Sequence, residues 1–265
     1  QAPAYKYDYV CQRTRLSPVD ISNAECVVGY QSNNTLPRVL LWGDSMASHY
    51  VGTLASLAIE DKYAFKNLQI GACPPVFGDE SRFTQPQRLA DCQASKVIMQ
   101  QEIEKYDVII ISAAWSFYMW KSETFIDVFS ETLDLLAENN KTIILLGEIA
   151  AFPSFDRWCE EKSLSYPFKN CNVVAVELSQ EAQDINATLR LLAQQYPNVE
   201  YADFNNYLCE DGLCKAQDYE NFVLYFDKYH LSMPGSWKLG QNILDETGVF
   251  APFSLIKERI NPLKD

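Results

Sequence analysis

Short apolar runs without polar alternation recur along the chain, and longer stretches with helical spacing of apolar residues separate them. Such uninterrupted runs are typical of strands that are buried on both faces. The strand-like runs lie at residues 38–42, 66–70, 107–113, 141–147 and 199–203. The helical patterns lie at residues 46–60, 87–105, 122–139, 178–195 and 234–245. Their alternation predicts a three-layer α/β/α sandwich around a mostly parallel sheet of about five strands.

Length and composition indicate one domain. The chain has 265 residues, of which 48% are hydrophobic, and this is ample for a core around one sheet. Residues 37–265 are predicted to form the domain, and residues 1–36, which precede the first strand-like run, an N-terminal extension or linker. No apolar stretch reaches the roughly 20 residues of a membrane helix. The first residues lack a signal-peptide pattern, so any targeting segment is expected to have been removed or to lie upstream.

The charge balance narrows the range of partners. The formal net charge is −13, from 35 acidic and 22 basic residues, and the lysines and arginines form no run. A nucleic acid or an anionic membrane bound through a basic face does not fit this balance. We therefore expect no nucleic-acid partner, and a neutral substrate fits better.

The cysteines predict disulfides and an oxidising compartment. No two of the eight form a tight Cys-x-x-Cys pair and no histidine lies near them, so disulfides are favoured over a metal site. Sequence cannot select one connectivity, but the placement of the loops favours pairing in sequential order. The predicted bridges are Cys11–Cys26, Cys73–Cys92, Cys159–Cys171 and Cys209–Cys214. Disulfides persist outside the cytosol, which points to the periplasm or the cell exterior.

Two short motifs predict a serine nucleophile with its acid–base partners. The tripeptide Gly43-Asp44-Ser45 follows the first strand-like run directly, and ligands of doubly wound sheets bind at the carboxyl ends of the strands. Ser45 would begin a helix there, whose unpaired N–H groups suit a developing oxyanion. Asp44 is expected to fix this turn and not to transfer protons.

Asp227 and His230 lie three residues apart, just before the last predicted helix. In a turn-like segment such residues lie side by side, so Asp227 could orient His230 while the other ring nitrogen reaches Ser45. The chain has only two histidines, and the other one, His49, has no adjacent carboxylate. Each motif alone is weak, because small polar residues often only make turns, but their conjunction favours catalysis.

At these residues the chain resembles the SGNH hydrolase superfamily, whose first block is Gly-Asp-Ser and whose last block is Asp-x-x-His. More narrowly, it resembles the SGNH domain fused behind the membrane domain of acyltransferase-3 proteins. The segments that carry this resemblance lie at residues 39–47, 72–75, 113–115 and 225–232, with Gly235. The resemblance covers roughly residues 37–245 and implies the flavodoxin-like SGNH fold. It further implies a bacterial O-acetyltransferase that acts on cell-envelope glycans, such as a lipopolysaccharide O-antigen, outside the cytoplasmic membrane.

The oxyanion site departs from the superfamily pattern. Gly71 can match the second-block glycine, whose N–H binds the oxyanion together with the N–H of Ser45. The third-block asparagine is absent, and residues 112–116 read Ser-Ala-Ala-Trp-Ser. Ser112, Ser116 or the indole N–H of Trp115 could substitute for it. Trp115 could equally be a wall of a hydrophobic pocket.

Aromatic residues supply candidate sugar-binding positions. Trp115, Tyr118 and Trp158 belong to clusters that could stack against sugar faces at a pocket rim, although aromatic residues more often pack beneath a long loop.

The sequence therefore predicts a serine O-acetyltransferase without a bound cofactor. Ser45 would take up the acetyl group, His230 would move the proton and Asp227 would orient His230. The resemblance implies that the acetyl donor, ultimately acetyl-CoA, reaches the site through the N-terminal membrane acyltransferase-3 domain of the same protein, at the periplasmic face of the inner membrane. Two alternatives stay open: a secreted acetylesterase with the same triad, and a non-catalytic glycan-binding module.

Overall fold

The structure is a computed structural model that describes residues 2–31, 36–166, 171 and 175–260. In this part of the chain the strands are β1 (Gln12–Arg13), β2 (Val27–Gly29), β3 (Val39–Gly43), β4 (Ala64–Ile70), β5 (Val108–Ser112), β6 (Thr142–Leu146), β7 (Val176–Glu177), β8 (Val199–Ala202), β9 (Cys209–Glu210) and β10 (Leu213–Cys214). The helices are α1 (Pro18–Ser22), α2 (Ser45–Ser48), α3 (Val51–Glu60), α4 (Pro86–Glu102), α5 (Trp115–Lys121), α6 (Phe125–Glu138), α7 (Cys159–Ser165), α8 (Gln180–Ala193), α9 (Asn205–Leu208), α10 (Met233–Thr247) and α11 (Ile256–Ile260).

The predicted α/β sandwich is confirmed. Among the described residues, seven strands form the central sheet in the order β1-β4-β3-β5-β6-β8, with β2 also paired to β4. All neighbours on the main path are parallel, and only β2 runs antiparallel to its partner. The five predicted strands coincide with β3, β4, β5, β6 and β8. Strands β7, β10 and β9 form a separate small antiparallel sheet.

Two hydrophobic cores cover the two faces of the sheet. Alternate residues of β3 divide between them: Val39 and Leu41 face one core, and Leu40 and Trp42 face the other. Helices α3 and α10 pack on the first face, and α4, α6 and α8 on the second. Because both faces are covered, β3, β5 and β6 carry apolar residues at nearly every position, and this is why their runs do not alternate.

Helices α3 and α10 are joined by buried polar contacts. The N–H of Thr53 donates to Ser236 Oγ at 2.9 Å, and Thr53 Oγ1 donates to the carbonyl of Ser236 at 2.8 Å. Each buried hydrogen bond of this kind contributes about 1 kcal/mol net. Because α2 directly precedes α3, these contacts hold the start of α10 close to α2, which follows the carboxyl end of β3.

The first 30 residues join the sheet and do not merely precede it. Strand β1 pairs with the last residues of β4, and β2 pairs with its first residues. Buried Asn67 links this segment to the sheet, because its Oδ1 accepts from the N–H of Cys11 and its Nδ2 donates to the carbonyls of Tyr9 and Cys26, all at 2.8 Å. These residues were predicted to be an extension or linker, and the structure places them in the same packed unit as the sheet.

The eight cysteines form four disulfides and leave no free thiol. The pairs are those that the loop placement favoured: Cys11–Cys26, Cys73–Cys92, Cys159–Cys171 and Cys209–Cys214. Such bridges fit an extracytoplasmic location. Within residues 2–31, 36–166 and 175–260, no helix has the length and apolar character needed to cross a bilayer.

Candidate active site

The nucleophile candidate lies at the first turn of α2. Gly43 ends β3, Asp44 is the N-cap residue and Ser45 is the first helical residue. Asp44 Oδ1 accepts a hydrogen bond from the N–H of Met46 at 2.8 Å, which satisfies one of the unpaired donors of this helix end. The N–H of Ser45 has no intrahelical acceptor at this position.

Asp44 ties the nucleophile turn to the neighbouring strand end. Its Oδ2 accepts from the N–H of Ala114 at 3.1 Å and from the hydroxyl of Tyr118 at 2.7 Å. The side chain is buried, and burial raises the pKa of Asp44 although these hydrogen bonds oppose the shift. Its described hydrogen bonds come from Met46 within the turn and from Ala114 and Tyr118 beside the end of β5, so the structure supports a positioning role for Asp44.

Ser45, His230 and Asp227 form one hydrogen-bonded chain. Ser45 Oγ lies 3.0 Å from His230 Nε2, and His230 Nδ1 lies 3.0 Å from both carboxylate oxygens of Asp227. The backbone N–H groups of Tyr229 and His230 also donate to Asp227 Oδ1 at 2.8 Å. The structure thus brings together the three residues that the two motifs predicted.

The charge of Asp227 sets the tautomer of His230. Partial burial raises the pKa of Asp227, but the hydrogen bond and charge of His230 and the two backbone N–H groups outweigh it and lower the pKa to about 2. An ionised carboxylate can only accept, so Nδ1 of His230 carries the proton. Nε2 is then free to accept the proton of the Ser45 hydroxyl, as a general base must.

A small cavity opens over this hydrogen-bonded chain. Its volume is about 170 Å³, below the roughly 300–1,000 Å³ of sites for drug-sized ligands, so it suits a short acyl group. Its walls come from the triad, from the first residues of the chain and from the loop before α10. The lining residues are Pro3, Ala4, Tyr5, Gln12, Ser45, His49, Phe226, Asp227, His230 and Leu231.

A family model described as the SGNH domain fused to AT3 domains matches residues 10–245. The chain belongs to this family. A search among curated proteins finds no match. Among solved structures, the periplasmic domain of a lipopolysaccharide acetyltransferase from Salmonella ser. Paratyphi A is 18% identical, with 89% of this chain and 90% of that one covered and a TM-score of 0.66. An acetyl xylan esterase is 15% identical, with 79% and 98% covered and a TM-score of 0.46.

The motif-based resemblance is confirmed by the family match, and the similarity to the Salmonella domain supports the same fold. The match begins at residue 10, so it includes β1, which Cys11–Cys26 and Asn67 hold against the sheet of this SGNH domain. Sequence reasoning missed the first residues as part of the site. Nothing in their composition marks them, because their place depends on pairing with a strand 57 residues away, such as Gln12 with Gln69.

The donors predicted for the oxyanion site of this SGNH domain are largely occupied. The N–H of Gly71 donates to the carbonyl of Arg13 at 2.9 Å, because β1 continues its pairing past the end of β4. The indole N–H of Trp115 donates to the carbonyl of Leu146 at 2.9 Å inside the core. The structure therefore corrects the prediction that Gly71 and Trp115 supply oxyanion donors. Of the predicted donors, the N–H of Ser45 remains available to an oxyanion.

The two serines considered as substitutes are also unsuited to this role. The N–H and the hydroxyl of Ser116 both donate to the carboxylate of Glu148. Ser112 is buried within β5. Burial raises the pKa of Glu148, and the hydrogen bonds from Ser116 oppose that shift.

The predicted substrate-binding aromatic residues separate into two groups. Trp115 and Tyr118 are enclosed in the core, where both rings pack against Phe125, so the prediction that they contact a substrate is wrong. Trp158 is 47% exposed and lies on an outer groove, defined here by Tyr5, Phe155, Arg157, Trp158 and Phe226. The guanidinium of Arg157 lies 4.8 Å from the Trp158 ring centroid and 4.0 Å from that of Phe226.

The outer groove continues into the catalytic cavity. Its volume is about 750 Å³, and Pro3, Tyr5 and Phe226 line both spaces. Exposed aromatic faces beside a cationic side chain suit polar, ring-shaped ligands such as sugars.

The second histidine is enclosed beneath the catalytic one. His49 is 1% exposed, and its ring centroid lies 5.9 Å from that of His230. Neither ring nitrogen has a hydrogen-bond partner among the described residues. Burial and then the nearby His230 lower the pKa of His49 well below its ordinary value, and Asp227 only partly opposes this. His49 is thus held neutral, and within the part of the chain that the structure describes no carboxylate accepts a hydrogen bond from its ring.

We expect His49 to make the folded state less stable in acid. In the unfolded chain the pKa of His49 is about 6.5. Below this pH the unfolded state therefore binds a proton that the buried ring in the folded state does not bind. Stability should therefore fall as pH drops through this window, by up to about 1.4 kcal/mol per pH unit from this residue. Urea unfolding between about pH 7.5 and about pH 5.5 measures the slope.

The matched variants are His49→Leu and His230→Leu, because these are the two histidines of the chain. His49→Leu should flatten the pH dependence of the unfolding free energy, whereas His230→Leu should retain most of it. Equal slopes in the wild type and His49→Leu would contradict the expectation.

Proposed function

We propose that this SGNH domain is the catalytic part of an O-acetyltransferase that acetylates hydroxyls of a bacterial cell-envelope glycan. The observation that carries the proposal is the hydrogen-bonded chain Ser45–His230–Asp227, whose three residues line a cavity of about 170 Å³. Such a chain activates a serine hydroxyl for acyl transfer. The likeness of the fold to a domain described as the periplasmic domain of a lipopolysaccharide acetyltransferase supports the substrate class.

The reaction proceeds in two acyl transfers. Ser45 Oγ attacks the acetyl carbonyl carbon while His230 Nε2 takes its proton, and the leaving group of the donor departs with that proton. A glycan hydroxyl then gives its proton to His230 and attacks the acetyl group on Ser45. The Ser45–acetyl bond breaks, and Ser45 recovers the proton from His230. Asp227 stabilises the imidazolium formed in both steps.

The outer groove is the proposed site of the acceptor. It leads from solvent to Ser45, and Trp158 and Tyr5 offer exposed ring faces along it. The donor acetyl group, ultimately from acetyl-CoA, is delivered through a membrane acyltransferase-3 domain of the same protein. Support for this partner is the family itself, which is described as fused to AT3 domains. The four disulfides support a periplasmic position for the site.

An acetylesterase is the alternative that a specific observation favours. The side chains of His230 and Asp227 are 29% and 41% exposed, so water can reach the acyl-enzyme. Transfer to a sugar then requires the acceptor to be oriented well enough to compete with about 55 M water. The complete triad argues against a glycan-binding module without activity.

The proposal is tested by how the acetyl group on Ser45 is divided between a glycan hydroxyl and water. With an aryl acetate as donor, we expect slow acetate release and acetylation of an added envelope-type oligosaccharide, because the groove orients the acceptor hydroxyl against water. Mass spectrometry of the acceptor, beside acetate release, measures both products. Fast acetate release, with no acetylated glycan across a panel and loss of acetyl from pre-acetylated glycans, would establish the esterase.

Two variants serve as controls for this experiment. Ser45→Ala should abolish both products. Trp158→Ala should lower acetylation of the glycan and leave acetate release unchanged, because Trp158 lies on the outer groove and outside the catalytic cavity.

A further inference from the structure

The proposed reaction requires donors for a developing oxyanion, and the expected ones are engaged elsewhere. Acyl transfer at Ser45 puts negative charge on the former carbonyl oxygen, which preorganised N–H groups stabilise. The N–H of Gly71 donates to the carbonyl of Arg13, and the indole N–H of Trp115 donates to the carbonyl of Leu146. The N–H of Ser45 is left as one donor, and a second must come from another part of the cavity.

Gln12 is placed at this cavity by the sheet. It lies in β1, opposite Gln69 at the carboxyl end of β4, next to the strand that delivers Ser45. Its neighbour Cys11 is fixed by a disulfide to Cys26 and by Asn67. The backbone of Gln12 is therefore held firmly, and the residue lines the catalytic cavity.

The amide of Gln12 occupies the space beside Gly71. A Cβ atom built on Gly71 would lie 3.2 Å from Gln12 Nε2, so the amide packs directly against the glycine Cα. Gly71 is the residue whose own N–H was expected to serve the oxyanion. The amide of Gln12 thus lies beside Gly71 at the catalytic cavity, whereas the N–H of Gly71 itself donates to Arg13.

Other donors among the cavity walls are poorly placed. Both ring nitrogens of His49 are enclosed, and the side chain of Tyr5 is more than half exposed, at the outer rim. His230 already serves Ser45 and Asp227. A neutral carboxamide has the chemistry of an oxyanion donor, because it presents two N–H bonds and no competing charge.

We propose that Gln12 is a catalytic residue whose Nε2–H donates the second hydrogen bond to the oxyanion, beside the N–H of Ser45. This rests on the proposed acyl transfer at Ser45. A residue of the N-terminal segment then replaces the asparagine that the third block lacks.

Two substitutions of similar shape test the donor. Gln12→Met removes the N–H groups, and Gln12→Glu replaces them with a carboxylate that can only accept. In both, kcat for an aryl acetate should fall about 10²- to 10³-fold, with KM changed little, as for the loss of other oxyanion donors. Gly71→Ala should give a smaller fall, because its Cβ would displace the amide without removing it.

A matched control and a second measurement keep the result specific. Gln93→Met makes the same replacement at an exposed position of α4, outside the catalytic cavity and the outer groove, and should leave kcat unchanged. The rate at which a p-nitrophenyl phosphonate modifies Ser45 should rank the wild type, the Gln12 variants and Gly71→Ala in the same order as kcat does. The reason is that the adduct carries an oxygen in the oxyanion position. Wild-type kcat and wild-type rates of phosphonylation in Gln12→Met would overturn the proposal. The wild type and Ser45→Ala, assayed together, show separately whether acyl transfer at Ser45 occurs.

Discussion

Replacing Ser45 or His230 with alanine should lower the turnover of 4-nitrophenyl acetate by at least about 10³-fold, because each substitution breaks the chain that moves the proton. Removal of either residue should cost about as much as removal of both, since the triad acts as one unit. Release of 4-nitrophenolate, compared between the single variants and the double variant, measures this.

His49→Leu is the control for these variants. His49 lies beside His230 but is neutral and enclosed, so its loss should leave most of the turnover. Full activity in His230→Ala together with loss in His49→Leu would reverse the assignment of the base.

Gly43→Ala should be strongly destabilising. A Cβ on Gly43 would lie 1.8 Å from the carbonyl oxygen of Ser112 and 2.8 Å from the Cβ of Ala47. Ser112 is the register partner of Gly43 across β3 and β5, so relief of this overlap requires the two central strands to move apart. We expect a loss of about 3 kcal/mol or more in the free energy of unfolding, at the upper end for overpacking. Urea denaturation measures it.

Gly71→Ala is the comparison for this effect. Its nearest contact is the end of a side chain at 3.2 Å, and not a strand carbonyl, so its unfolding free energy should change by less than about 1 kcal/mol. A loss in Gly43→Ala as small as this would show that the strands accommodate the methyl group.

The central sheet could be predicted because its strands carry their own signal. Strands β3 and β5 are buried at every position, so burial appears in the sequence as runs without alternation. The predicted helix at 46–60 is two helices in the structure, with the break at His49 and Tyr50. The short strands β1 and β2 could not be predicted, because two or three residues give no pattern.

The candidate site also has a part that local sequence patterns predict and a part that they do not. Asp227 and His230 are close in sequence and Ser45 follows a clear strand, so local patterns are enough to name them. The engagement of Gly71 by Arg13 depends on contacts between segments far apart in the chain, and no local pattern reports such a contact. The same holds for the burial of Trp115, which sequence alone could not distinguish from a pocket wall.

The three hydrogen bonds of Asn67 determine where a stable fragment of this domain must begin. They join the sheet to Tyr9, Cys11 and Cys26, so a fragment that starts at residue 37 would keep the triad and its five longest strands but leave a buried amide without partners. It would also expose the outer edge of β4 and remove one wall of the catalytic cavity. Recombinant fragments, chimaeras and domain swaps between relatives should therefore carry the first 30 residues together with the sheet, as one exchangeable unit.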